Sequence, residues 1–453
     1  MFQSIRARRA PPQAAPGQAN VRDQAGAARE TAPDRFEQVV PWYHAQVLEA
    51  LDTQTAASLG TAELEAWIAS VLHRIETSPD APPIGGDHAR LATRLVDEMR
   101  GLGPIGPLLR DPDVSDIMVN GLDSVYVERH GRLAKVDVNF RDVDHLTHIA
   151  QRIAQNAGRR VDELSPMCDA RLDDGSRVNI IAPPLAIDGA AISIRRFRTG
   201  GFTVDELARG GAMHPSMATL LEVAAKARLN LVVSGGTGSG KTTLLNALSG
   251  FIGAEERVVT LEDAAELSLR QPHVVRLETR PPSAEGVGEI PMRDLLKNAL
   301  RMRPDRIIVG EVRGPEALDA LQAMNTGHPG SMFTIHANNP RDTLSRLEYL
   351  VMMESGEMPL SAIRNQVVSA VDMIVHASRF RDGSRRVVAI ADVVGLEGNV
   401  PVLEELWSYD SANRLFRSSG SRPSFIDRVE EMGLGGELRS GLGRPGATIG
   451  KQP

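Results

Sequence analysis

A glycine-rich segment in the middle of the chain places the strongest constraint on its fold. It reads G-G-T-G-S-G-K-T over residues 235–242 and matches the pattern G-x-x-x-x-G-K-[ST]. A β-rich run from Leu231 to Val233 precedes it, and a helix with an apolar face (Leu244 and Leu245) follows. This order predicts a loop in which backbone N–H groups and a helix N-terminus surround phosphate oxygens. The predicted phosphate-binding residues are Gly235, Gly236, Thr237, Gly238, Ser239, Gly240, Lys241, Thr242 and Thr243.

Two side chains of this loop have specific predicted tasks. Lys241 is expected to reach the β- and γ-phosphates of a nucleotide, and the Thr242 hydroxyl is expected to bind Mg²⁺. A phosphate-binding loop by itself serves kinases, switch GTPases and motors, so the reaction has to be inferred from other residues.

Acidic residues end two predicted strands downstream of the loop. The run R-I-I-V-G-E at residues 306–311 is an apolar strand that ends in Glu311, and T-L-E-D at residues 260–263 contains Glu262. Ligands of open α/β sheets bind at the carboxyl ends of the strands. Glu311 is therefore predicted to hold a Mg²⁺-bound water or to polarise the attacking water, and Glu262 or Glu266 to supply a second carboxylate.

Two histidines flank the predicted strand at residues 331–335. His328 and His336 lack a cysteine or a third ligand nearby in the sequence, which argues against a zinc site. One of them is a candidate sensor of the γ-phosphate.

The chain is predicted to contain several segments of different character. The fold class is α/β: a C-terminal RecA-like P-loop domain follows a small α+β domain and an N-terminal helical bundle. An apolar stripe that includes Leu64, Ile68 and Leu72 supports the bundle. The predicted segments are a disordered tail at 1–34, the helical bundle at 35–110, the α+β domain at 111–200, a linker at 201–214, the RecA-like domain at 215–410 and a loosely ordered tail at 411–453.

Composition limits the possible partners. The 453-residue chain has a net charge of -7, which gives no general reason to expect nucleic-acid binding. It has one cysteine, Cys168, as expected in a reducing compartment. No apolar run approaches the roughly 20 residues that span a bilayer. We therefore expect a cytoplasmic protein that contacts the inner membrane peripherally, through partner proteins.

Longer motifs resemble a known family. The runs R-M-R-P-D-R-I-I-V-G-E-V-R-G (301–314) and A-L-Q-A-M-N-T-G-H-P-G-S-M-F-T-I-H-A-N (320–338) resemble the type II/IV secretion ATPase superfamily. The segments D-I-M-V-N-G (116–121), S-P-M-C-D-A-R-L-D-D-G-S-R-V-N (165–179) and S-I-R-R-F (193–197) resemble its CpaF/TadA branch, which powers Flp-type (tight-adherence) pili.

The resemblance implies roles by position. It makes residues 235–242 the Walker A loop, Glu262 a member of the Asp box, Glu311 a member of the Walker B segment, and His328 and His336 members of the His box. It also implies a homo-hexameric ring that hydrolyses ATP with Mg²⁺ and acts on inner-membrane platform proteins. Pro329 departs from the family pattern, where an acidic residue is expected after His328. The arginines that the resemblance implies for completing the site are Arg171, Arg177, Arg195 and Arg196.

Three other functions remain open at this stage. A conjugation-type secretion ATPase would use the same core chemistry, and neighbouring genes would distinguish it. A RecA-like nucleic-acid motor is permitted by the fold alone, but the acidic balance of the chain argues against it. A nucleotide-gated scaffold would bind ATP without releasing phosphate, which the presence of Glu262 and Glu311 makes a poor interpretation.

Overall fold

The structure, a computed structural model, describes residues 35–51, 59–84, 86–197, 201–282, 287–356, 358–444 and 448–449. The predicted tail at 1–34 lies outside the described residues. Contacts divide the chain into two units, residues 1–96 and residues 97–453.

The smaller unit is helical. It contains α1 (Arg35–Ala50), α2 (Thr61–Ile75) and most of α3 (His88–Met99). On α2, Leu64, Ile68, Val71 and Leu72 are buried, as expected of a helix that places one apolar stripe against its neighbours.

The division at residue 96 corrects the predicted bundle boundary at residue 110. Residues 97–110 continue into a 3₁₀ turn (Gly103–Ile105) and the short helix α4 (Gly106–Arg110). Ile105 and Leu108 are buried in the core of the following α+β domain. The sequence-based prediction places these residues in the bundle, whereas their apolar side chains pack in the core of the α+β domain.

That α+β domain is a six-stranded antiparallel sheet with the order β3-β2-β1-β6-β5-β4. One helix, α5 (Val143–Asn156), contributes Leu146, Ile149 and Ile153 to its core. The strands are β1 (Val114–Asn120), β2 (Val125–Arg129), β3 (Arg132–Val136), β4 (Met167–Arg171), β5 (Arg177–Ile181) and β6 (Ala191–Arg195).

The predicted linker at 201–214 is partly helical. Thr203 and Glu206 form a reciprocal cap at the start of α6 (Val204–Arg209), in which the Thr203 hydroxyl accepts from the Glu206 N–H. A second helix, α7 (Pro215–Lys226), leads into the P-loop domain.

The P-loop domain is built on a ten-stranded sheet with the order β16-β15-β14-β13-β12-β7-β11-β10-β8-β9. Six neighbouring strands run parallel to one another: β12, β7, β11, β10, β8 and β9. Apolar clusters cover both faces of the sheet. The predicted α/β fold class is confirmed. The elements are β7 (Leu231–Gly235), α8 (Lys241–Ser249), β8 (Val258–Glu262), β9 (Val274–Glu278), α9 (Met292–Ala299), β10 (Arg306–Val312), α10 (Glu316–Asn325), β11 (Met332–Ile335), α11 (Pro340–Ser355), α12 (Leu360–Ala370), β12 (Met373–Arg379), β13 (Arg385–Glu397), β14 (Val400–Asp410), β15 (Leu415–Ser418), α13 (Ile426–Glu431), α14 (Gly435–Leu442) and β16 (Thr448–Ile449).

The segment after residue 410 is folded, so the prediction of a loosely ordered tail at 411–453 was wrong for most of its length. Phe416, Val429 and Leu438 belong to the core that also contains α7. A Cβ atom at Gly441 would lie 2.7 Å from the Leu220 backbone nitrogen, so the small residues allow α14 to approach α7 closely. The high Gly, Ser and Arg content concealed these widely spaced apolar residues.

Among the described residues, no helix combines the length and the apolar character that crossing a bilayer requires.

Replacement of Trp407 by alanine is expected to lower the free energy of unfolding by about 3–5 kcal/mol. Trp407 is 1% exposed, and its indole N–H donates to the Gly441 carbonyl at 2.9 Å. Urea denaturation measures the change. Val400→Ala, on the exposed part of the same strand, is the control and should cost under about 1 kcal/mol. Equal losses in both variants would contradict the role given to Trp407 in anchoring α14.

Candidate nucleotide-binding site

The glycine-rich loop lies between β7 and α8, at the carboxyl edge of the parallel strands. Three of its glycines have positive φ: +154° at Gly235, +68° at Gly238 and +93° at Gly240. Other residues rarely adopt these conformations, which turn the backbone sharply into the helix. Gly240 is the N-cap of α8, so the loop ends where the helix offers unpaired N–H groups and a positive dipole end.

Lys241 begins α8 and is 8% exposed. Its ammonium donates to the Gly236 carbonyl at 3.1 Å and lies 3.3 Å from His336 Nε2. Burial lowers the pKa of Lys241, and the nearby Glu311 carboxylate opposes that shift. The ammonium is thus held against the backbone of the loop, close to His336 and the Glu311 carboxylate.

Glu311 and His336 come from adjacent parallel strands. Glu311 is near the end of β10, and His336 follows the last residue of β11. His336 Nε2 lies 2.7 Å from Glu311 Oε1, and Arg313 donates to Glu311 Oε2 at 2.6 Å. Burial and the Lys241 ammonium lower the pKa of His336. A neutral imidazole has one N–H, so His336 Nε2 can either donate to Glu311 or accept from Lys241.

Glu262 is the last residue of β8 and is 2% exposed. Its Oε2 accepts from the N–H groups of Glu266 at 2.8 Å and Leu267 at 2.7 Å, whereas its buried Oε1 has no hydrogen-bond partner. Burial raises the pKa of Glu262 to about 7. A Cβ atom at Gly310 would lie 3.0 Å from Glu262 Cγ, so the missing side chain makes room for this carboxyl beside β10.

The α+β domain directs arginines at the acids of this edge. Arg171 donates to Glu278 at 2.9 Å, and Arg195 Nη1 lies 3.8 Å from Glu266. Arg177 is bonded to Asp169 within its own domain.

Arg196 has a different setting from these three. It donates to the main-chain carbonyls of Asp111 and Val114, so within one chain its guanidinium is bonded to backbone of its own domain.

A sequence profile described as "Type II/IV secretion system protein" matches residues 98–386. The chain belongs to this family. A putative conjugal transfer protein of Mycobacterium tuberculosis is 41% identical over 322 residues, 70% of this chain and 91% of its own length. Conjugal transfer protein TrbB of Rhizobium radiobacter is 34% identical over 317 residues, 69% of this chain and 92% of its own. The crystal structure of the VirB11 ATPase from the Brucella suis type IV secretion system aligns at 28% identity with 65% of this chain and 96% of its own, with a TM-score of 0.35.

For this secretion-family chain, the structure brings Lys241, Glu311 and His336 together but not His328. His328 precedes β11 and therefore lies at the amino edge of the parallel strands, opposite the loop. Its Nδ1 lies 3.3 Å from the Ala323 carbonyl. Within one chain His328 is thus a residue of the α10–β11 connection, and of the two candidate sensors it is His336 that lies beside Lys241. The two histidines lie beyond opposite ends of β11, so the length of the strand keeps them apart.

The carboxyl edge offers donors that fit Mg²⁺. Mg²⁺ is usually held by one or two carboxylates, a hydroxyl and substrate phosphates. Thr242, half-buried in the first turn of α8, and the unpartnered Oε1 of Glu262 are oxygen donors of this type. Among the described residues, no group of three or more His, Cys, Asp and Glu side chains could hold a metal ion by itself.

Several residues around the loop were not predicted from sequence. Arg313 pairs with Glu311, and the buried His376 of β12 lies 2.9 Å from the Ser234 hydroxyl. Arg385 donates to the Gly238 carbonyl at 2.8 Å. The last two contacts join positions more than 140 residues apart, so no local spacing indicated them. Arg313 was within the quoted run 301–314, two residues after Glu311, and could have been named as its partner.

Proposed function

We propose that the chain is a Mg²⁺-dependent ATPase that converts hydrolysis into movement for a pilus or secretion machine. The observation that carries the proposal is the position of the Lys241 ammonium. It is buried, bonded to the Gly236 carbonyl of the loop, and adjacent to the Glu311–His336 pair from two neighbouring strands. This arrangement suits a triphosphate, because one cation and a set of backbone N–H groups face the same point where carboxylates can bind a metal.

Each group of the loop has a distinct part in the reaction. The N–H groups at the start of α8 and Lys241 neutralise charge on the phosphate oxygens, and the neutralisation strengthens as charge develops in the transition state. Thr242 and, through a bound water, the carboxylate of Glu311 would hold Mg²⁺. The metal supplies further charge neutralisation on the β- and γ-phosphate oxygens when it is bound.

Glu262 is the residue we assign to proton transfer from the attacking water. Its carboxyl is buried, its Oε1 is unpartnered, and burial raises its pKa to about 7. A group with a pKa near the working pH is an effective proton acceptor. Glu311, which is already bound by Arg313, is better suited to holding the metal-bound water and to orienting His336.

His336 is the proposed sensor of the γ-phosphate. Its Nε2 can bond only one of its two neighbours, Glu311 or Lys241, at a time. When Lys241 turns to a phosphate, the Nε2–H form of His336 can bond Glu311 fully. The proton position on this ring would therefore differ between nucleotide states.

The arginines of the α+β domain would complete the site. Arg171 contacts Glu278 of the P-loop domain, and Arg195 contacts Glu266. Arg177 lies close enough to Glu266 and Asp263 for electrostatic attraction to both. An arginine retains its charge and matches phosphate oxygens with two N–H groups. We propose that these side chains exchange carboxylate partners for phosphate oxygens as the two domains close within a homo-hexameric ring.

For the machine, we propose assembly of an Flp-type pilus, with the ring acting on inner-membrane platform proteins from the cytoplasmic side. The resemblance of the segments at 116–121, 165–179 and 193–197 to the CpaF/TadA branch supports this choice. Conjugation-type secretion is the second candidate, because relatives at 41% and 34% identity are named conjugal transfer proteins.

Phosphate release by the purified chain tests the enzymatic part. We expect ATP hydrolysis that requires Mg²⁺ and that falls at least about 100-fold in Glu311→Gln, because the uncharged amide binds metal-bound water and His336 more weakly. Glu405→Gln, at an exposed position on β14, should hydrolyse ATP like the wild type. Binding of ATP without phosphate release would instead indicate a nucleotide-gated scaffold. Activity that requires added DNA would indicate a nucleic-acid motor.

A gene deletion in the organism that encodes the chain tests the machine. Loss of surface pili with unchanged DNA transfer supports the pilus assignment, and the reverse supports the conjugation assignment. Complementation by a chain lacking residues 1–96 then asks whether the helical unit is needed for docking.

A further inference from the structure

A second set of charged residues connects the phosphate-binding loop to the α+β domain. Glu128 of β2 is 12% exposed at its side chain and accepts from two arginines of the β12–β13 hairpin. Arg385 donates to its Oε1 at 3.0 Å, and Arg379 donates to its Oε2 at 3.2 Å. None of these three residues was assigned a part in the site above.

Arg385 also contacts the loop itself. Its Nε–H donates to the Gly238 carbonyl at 2.8 Å, while its Nη2 group bonds Glu128. One guanidinium therefore connects the turn of the phosphate-binding loop with a strand of the other domain. Arg379 lies alongside, because a Cβ atom at Gly238 would be 3.2 Å from its Nη1.

The direction of the Gly238 carbonyl determines the direction of a loop N–H. In a trans peptide the C=O and N–H bonds point in opposite directions. The Arg385 guanidinium holds the Gly238 oxygen outward, so the N–H of Ser239 in the same peptide points to the inside of the loop, toward the Gly236 carbonyl. Ser239 N–H is one of the donors that a phosphate oxygen can use, provided that this peptide keeps its orientation.

The backbones of the two domains meet at the same place. Arg379 donates to the Gly131 carbonyl at 2.6 Å, and a Cβ atom at Gly131 would lie 3.0 Å from the Gly383 oxygen. The turn after β2 thus packs directly on the β12–β13 hairpin. A rotation of the α+β domain would move Glu128 and, with it, the arginine that orients the loop peptide.

We propose that Arg385 is a positioning residue for the phosphate-binding loop and that Glu128 sets its position from the α+β domain. The proposal rests on the assigned nucleotide site and adds a route by which domain orientation changes affinity for the nucleotide. Arg385 acts through the Gly238–Ser239 peptide and does not need to touch the nucleotide.

The test compares nucleotide affinity and steady-state kinetics in full-length variants. Arg385→Gln should weaken ADP binding about tenfold by isothermal titration calorimetry, because one phosphate donor loses its fixed direction. KM for ATP should rise by a similar factor with kcat changed less than about threefold. Glu128→Gln should weaken binding by a smaller factor and should have no further effect in the Arg385→Gln background.

Two further variants separate position from charge and from folding. Arg385→Lys keeps the charge but lacks the Nε–H, so it should bind ADP as weakly as Arg385→Gln. Arg386→Gln changes the neighbouring arginine, which donates to the Gly211 carbonyl, and should bind like the wild type.

Two results would overturn the proposal while leaving the nucleotide site intact: wild-type affinity in Arg385→Gln, or full recovery in Arg385→Lys. An additive effect of Glu128→Gln would show that Glu128 does not act through Arg385. Absence of ADP binding by the wild-type chain would instead remove the nucleotide site itself, and the inference with it.

Discussion

Lys241→Ala is expected to abolish most ATP hydrolysis, with phosphate release reduced about 100- to 1000-fold. The ammonium is the only loop side chain we assign to direct charge neutralisation of the β- and γ-phosphates, and removing one preorganised donor commonly costs a factor of about 100 to 1000. Because Lys241 is buried and burial lowers its pKa, a neutral alanine removes an unfavourable desolvation as well as two contacts. The folded state should therefore survive.

The control for this prediction is Lys226→Ala. Lys226 lies on α7 and pairs with the exposed Glu222 at 2.6 Å, so its loss removes a lysine without touching the loop. Thermal unfolding of both variants should resemble that of the wild type. Wild-type turnover in Lys241→Ala would falsify the assignment of the site.

Glu262→Gln is expected to reduce hydrolysis at least about 100-fold and, in the same protein, to raise the free energy of unfolding at pH 8 without Mg²⁺. Glutamine cannot accept the proton, which explains the lost activity. Its amide oxygen can still accept from the N–H groups of Glu266 and Leu267 that now bond Glu262. Activity and stability should thus change in opposite directions.

The pH dependence of that stability gain follows from the raised pKa. Burial raises the pKa of Glu262 from 4.5 to about 7. Between these values the unfolded chain loses the proton while the folded chain retains it, so rising pH destabilises the folded state. The penalty is complete above pH 7 and amounts to at most about 3 kcal/mol. The gain in Glu262→Gln should be near zero at pH 4.5 and largest above pH 7.

Urea titrations of the wild type and Glu262→Gln at several pH values measure this gain. Glu405→Gln, which changes an exposed glutamate, should show no comparable trend. A gain independent of pH would mean that the Glu262 carboxyl is not protonated in the folded protein at neutral pH.

The parts of the molecule that sequence analysis predicted correctly follow local rules. The G-x-x-x-x-G-K-[ST] spacing requires a strand before it and a helix after it, and β7 and α8 occupy those positions. The alternation of apolar runs with helical periodicity also predicted the parallel strands β8, β10 and β11, which end in or next to Glu262, Glu311 and His336. Strand ends of a parallel sheet share one edge, so three separate segments could be assigned to one site.

The sequence left other features open, because they depend on properties that a linear pattern does not contain. His328 was grouped with His336 because both flank one strand, but the direction of a parallel strand places them at opposite edges of the sheet. The resemblance offered Arg196 as one of four candidate arginines, and its main-chain carbonyl partners distinguish it from the other three. Glu128 and Arg385 are 257 positions apart, and only the fold brings them together.

The first glycine of the loop has a consequence for how this sequence can vary. A Cβ atom at Gly235 would lie 2.2 Å from the Ala377 carbonyl on β12, and the residue has a φ of +154°. Even alanine would therefore force apart two hydrogen-bonded strands at the base of the loop. Libraries that randomise this segment should recover glycine at position 235 whether they are selected for catalysis or for folding alone, which makes that position uninformative about nucleotide use.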